Sequence, residues 1–93
     1  MSISQEHLEE ALKHPFETVD GLLKEANENL ETGYFLRYSL DLVHIAKYIL
    51  QEFENREETK PVDVKKVKPW NKKASSLEKS IMLTMKEQGM KLI

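Results

Sequence analysis

The chain contains no cysteine, so neither a disulfide framework nor a thiolate metal site can form. Its three glycines, Gly21, Gly33 and Gly89, each stand alone, which excludes a glycine-rich phosphate loop. The three histidines, His7, His14 and His44, show no HExxH or comparable spacing, so no metal centre is expected. Ser75 and Ser76 have no general base near them in sequence and suit a helix cap better than a nucleophile. No apolar run approaches the roughly 20 residues of a membrane span. The opening "MSISQEHLEE" lacks the basic start and apolar run of a secretory leader. These absences together lead to the expectation of a soluble, cytoplasmic protein with no enzymatic activity, no cofactor and no small-molecule ligand.

What remains is a chain of 93 residues, 40% hydrophobic and 32% charged, which fits one small globular domain. The net charge of −2 conceals a division. Thirteen acids face five basic residues from Met1 to Thr59, and three acids face nine lysines from Lys60 to Ile93. Such asymmetry arises when a chain contacts nucleic acid. It arises equally when the basic half lies on the acidic half, in the same chain or a second copy, and that self-complementary arrangement is the first expectation.

Apolar spacing is helical almost throughout. Ser2 and Gln5 form a capping-box pattern ahead of a short helix that buries Leu8, Ala11 and Leu12. Pro15 suits the first position of a second helix. Phe16, Val19, Leu23, Ala26 and Leu30 then recur at threes and fours. Gly33 is a natural C-terminal cap, so the second and third helices are expected to make a central antiparallel hairpin. In the third helix, about 34–56, Phe35, Leu36, Leu42, Val43, Ala46, Ile49, Leu50 and Phe53 fall within an arc of about 140°. This stripe predicts the centre of the fold.

"KPVDVKKVKPWNKK", residues 60–73, holds six lysines, two prolines and the only tryptophan. Its lysines and prolines predict an extended basic linker over 58–73 between a helical core, 1–57, and a C-terminal amphipathic helix, 74–93. Ser75 and Glu78 repeat the capping-box spacing at the start of that last helix. Ala74, Leu77, Ile81 and Met85 line one of its faces, with Met82, Leu83 and Met90 off the stripe. The fold class is therefore all-α, a small helical bundle in one structural domain.

Opposite the core face of the third helix lie Tyr34, Arg37, Tyr38, Asp41, His44 and Tyr48, all within about 120°. Arg37 and Asp41 are spaced to pair, and Asp41 and His44 to hydrogen-bond. One reading is that another helix of the domain packs there, leaving the phenol groups at the rim. The other is a recognition surface, because tyrosine and arginine are enriched in interface hot spots. Ile81, Met82 and Met85 add a second contact surface, since methionine adapts to irregular grooves. A protein partner, and a homodimer first, follows from these surfaces.

Two alternatives are carried beside this. Lys65, Lys66, Lys68, Lys72 and Lys73 surround Trp70, the minimum of a single-strand nucleic-acid site: cations along a backbone and a ring to stack on. Against that stands Trp70 as an anchor pinning the connector to the core. The second alternative starts from Arg37 and His44, separated by six residues. This spacing resembles the R-x(4–6)-H signature of the HEPN ribonucleases. The resemblance implies that arginine and histidine of two subunits meet across a dimer interface and cleave RNA without metal. Histidine would act as general acid/base and arginine would stabilise the phosphate charge.

Overall fold

The computed structural model describes residues 3–89. Four α-helices make up that stretch: α1 (Gln5–Ala11), α2 (Pro15–Thr32), α3 (Leu36–Asn55) and α4 (Pro61–Glu87). Each start and stop has a local cause. The Ser4 hydroxyl accepts the His7 amide at 3.2 Å and caps α1. The cap expected at Ser2 lies outside the described residues. Pro15 opens α2, where its missing N–H costs nothing.

Gly33 ends α2 in the left-handed region, φ 77°, and its amide donates to the Asn29 carbonyl at 2.9 Å. Phe35 also adopts a left-handed backbone, φ 57°, which side chains other than glycine rarely do. This corrects the expectation for the third helix. Phe35 stands before α3 and is 74% exposed, so the ring belongs to the surface rather than the core.

α3 occupies the centre, packing against both α2 and α4, which touch each other far less. Its Leu42, Val43, Ala46, Ile49 and Leu50 are buried together with Val19, Leu23 and Ala26 of α2. Val67, Ala74, Ile81 and Met85 of α4 complete the same core. At one end, Phe16 of α2 meets Phe53 of α3 edge-on, ring centres 5.5 Å apart. At the other, the Gln88 side-chain amide donates to the Gly33 carbonyl at 3.3 Å. Arg56 ties α1 to the α3–α4 corner through Glu9 at 2.6 Å and Glu58 at 3.5 Å. The hydrogen bond to Glu9 raises the Arg56 guanidinium above its ordinary pKa.

The expected linker is not extended. α4 runs unbroken from Pro61 to Glu87, through Pro69. An interior proline costs a helix about 3 kcal/mol and removes one backbone hydrogen bond. The compensation is visible in the sequence: Val67, Trp70, Ala74, Leu77, Ile81 and Met85 recur at threes and fours. Val67 is 1% exposed, and the Trp70 ring stacks on Phe16 with centres 6.4 Å apart. Burying each such side chain contributes roughly 1.5–3 kcal/mol, so continuing the helix through Pro69 wins. Ser75 and Glu78 accordingly lie inside α4 and cap nothing. Met90 and the rest of the apolar tail lie outside the described residues.

Candidate functional site

The outer face of α3 is not covered by another helix among the described residues. Tyr34, Tyr38 and Tyr48 are 70%, 40% and 43% exposed. Arg37 and His44 are exposed between them, and Asp41 is half-buried. Tyr38 and Tyr48 thus stand at a partly covered rim of α3, and Tyr34 precedes the helix. Phe35, missed as a surface residue, adds a fourth exposed ring beside Tyr34. A positive φ cannot be read from helical periodicity, and the only hint is the glycine two residues before.

His44 has an interhelical partner. Its Nε2 lies 2.8 Å from Glu78 Oε2 on α4, and Lys47 Nζ donates to the other carboxylate oxygen at 3.2 Å. Glu78 thus clamps the α3–α4 edge, a role that the sequence reading gave to a cap. Met82 stands one turn beyond Glu78, so it shares that side of α4. Met82 and Leu83 are 39% and 53% exposed.

Ile81 and Met85, expected at the contact surface, are 0% and 1% exposed. They continue the buried stripe of Val67 and Ala74, and the core has claimed them. The apolar surface left on α4 near its end is Met82 and Leu83.

Arg37 and His44 share the exposed face, seven residues apart. That is a rise of about 10.5 Å along α3.

Trp70 is half-buried against Phe16, and Lys73 Nζ sits 5.1 Å from its ring centre. This indole is an anchor, and the stacking platform expected of a single-strand site is largely occupied. Lys65, Lys66, Lys68, Lys72 and Lys73 all point to solvent from α4. Among the described residues, no lysine of α4 pairs within 4 Å with an acid of another helix; Lys66 pairs with Asp63 of α4 itself at 3.6 Å. The basic segment does not neutralise the acidic helices of its own chain.

Between α2 and α4 lies an open groove of about 850 Å³. Leu23, Leu30 and Leu77 line its apolar part, and Lys24, Asn27, Lys72, Lys73, Ser76 and Ser80 its polar walls. An extended linker has no face, so this groove was invisible to a reading that made 58–73 one. Among the described residues no three acidic or histidine side chains gather where a metal ion would sit, and no helix is long and apolar enough to cross a membrane. No protein-family model matches the chain, and no curated protein and no solved structure matches it.

Proposed function

We propose that the chain is a small non-catalytic protein–protein interaction module, regulatory or adaptor in kind, that associates with a second copy of itself in the cytoplasm. On this reading α2 and α3 form a central hairpin whose purpose is to present the outer face of α3. The supporting observation is the exposure of Tyr34, Tyr38 and Tyr48, at 40–70%, around Arg37. Tyrosine and arginine dominate interface energetics because each combines apolar area with directional donors.

Phe35 strengthens the reading. A left-handed backbone costs a residue with a β-carbon about 1–2 kcal/mol, yet the ring is held out in water. Strain retained at an exposed aromatic is characteristic of recognition sites. A second copy suits the charge pattern as well. Arg37 and Asp41 are opposite charges four residues apart, so a two-fold axis between them lets each meet its counterpart. Met82, beside the Glu78 clamp, extends the surface toward α4.

Molar mass by light scattering across a dilution series tests the proposal. A dimer that dissociates on Tyr38→Ala with Tyr48→Ala, at unchanged helix content, supports it. A wild type that stays monomeric at every concentration refutes self-association. The paired His44 and Glu78 sustain a second, ribonucleolytic reading, because a carboxylate that orients an imidazole is a recurring acid/base arrangement. That reading requires RNA cleavage by the wild type and its loss in His44→Ala; cleavage that persists in the mutant ends it.

A further inference from the structure

α4 carries a row of cations that the fold leaves unneutralised. At 100° per residue, Lys65, Lys68, Lys72, Lys79 and Lys86 fall within an arc of about 60° on the side away from Val67, Ala74 and Met85. All five are exposed. Among the described residues none has a carboxylate within 4 Å. The helix's own acids, Asp63, Glu78 and Glu87, all lie outside that arc by the same geometry.

Like charges at i,i+3 and i,i+4, as at Lys65, Lys68 and Lys72, destabilise a helix by a few tenths of a kcal/mol per pair. Lys86 stabilises the last turn of α4, but the fold gains nothing from keeping the other four unpaired. A polyanion would. From Lys65 to Lys86 the ridge rises about 32 Å, close to one turn of B-form duplex.

The surroundings decide which polyanion. The main apolar stripe of α4 is buried in the core, and the exposed Val62, Met82 and Leu83 are too few to lay an apolar face into a lipid surface. Single-strand binding needs free rings for bases to stack on. The Trp70 ring stacks on Phe16 and lies 5.1 Å from Lys73 Nζ, and the ridge itself contains no aromatic. A ring-free row of lysines along one helix face matches rows of phosphates along a duplex. The adjoining α2–α4 groove carries Lys24 and Lys73 on its walls beside Lys72, against one acid, Asp20. We infer that the outer face of α4 binds the phosphate backbone of double-stranded DNA without reading its sequence.

The test is fluorescence anisotropy with a labelled duplex of about 20 base pairs, titrated from about 50 to about 200 mM salt. Five phosphate contacts predict a slope of log K against log salt near −4.5, about a 500-fold loss across that range. Lys72→Gln with Lys79→Gln and Lys86→Gln should reduce the slope to about −1.8, since each contact contributes about 0.9. Lys79→Gln alone should change it by about 0.9, which guards against a folding defect in the triple variant. Lys13→Gln, outside the ridge, should leave it unchanged. Three results overturn the inference: no binding at the lowest salt, an unaltered slope in the triple variant, or tighter binding to the single strand or to phosphatidylserine vesicles than to the duplex. The dimer face lies on α3, so either proposal can fail while the other stands.

Discussion

Replacing Pro69 by alanine separates a helical from an extended 60–73 segment by the sign of one number. Within α4, Pro69 lacks the amide that would donate to the Lys65 carbonyl one turn back. Lys65 is exposed, so water can satisfy that carbonyl, and the hydrogen bond restored by alanine contributes only about 1 kcal/mol net. Relief of the ring clash and the better propensity of alanine bring the ceiling to about 3 kcal/mol. Pro69 is exposed on the groove wall, so little packing is lost with its ring. Stabilisation between about 1 and about 3 kcal/mol is therefore expected, each kcal/mol raising Tm by about 4–8 °C in a domain this size. In an extended connector the same change would destabilise by about 0.4–1 kcal/mol, because proline stiffens the unfolded chain. Urea unfolding followed by circular dichroism reads both stability and helix content. A lowered midpoint at unchanged m-value would refute the compensation argument for α4.

Other expectations follow from single features. Ser39 is fully buried and its hydroxyl has no hydrogen-bond partner among the described residues, so Ser39→Ala should stabilise by about 1–2 kcal/mol, seen as a raised urea midpoint at constant m-value. Gly33→Ala should destabilise by about 1–2 kcal/mol, because φ is 77° there. Its new methyl group also approaches the Gln88 side-chain nitrogen to 3.3 Å, pushing the tip of that side chain off the Gly33 carbonyl; a thermal melt measures the sum. Phe35→Gly should leave stability unchanged or raise it by up to about 1 kcal/mol while weakening the dimer in sedimentation; weakened folding instead would mean the ring supports the bundle.

The helices were legible because the signals that make them are local. Pro15 and Gly33 bound α2, and the threes-and-fours spacing of Val19, Leu23 and Ala26 names its buried face. The core stripe of α3 from Leu36 onward was readable for the same reason, and so was the place of Met82 and Leu83 off the buried stripe of α4. Where the reading failed, two local signals conflicted. Pro69 says stop, while Val67, Trp70, Ala74 and Ile81 say continue. The Pro69 penalty is local, but the compensation depends on Phe16, more than fifty residues away in the chain.

The candidate surfaces divide in the same way. That Arg37, Tyr38, His44 and Tyr48 share a face follows from 3.6 residues per turn, and the sequence determined it alone, whereas Tyr34 stands ahead of α3 and the left-handed Phe35 removes it from that periodicity. Whether a helix covers that face is a fact about where α1 and α4 pack, and only the tertiary structure left it open. Ile81 and Met85 show the converse, since burial depends on what lies opposite and no periodicity identifies the neighbour. The lysine ridge needed both. Its spacing was present in the sequence, but the five side chains became one row only when packing of the apolar stripe carried the helix through Pro69.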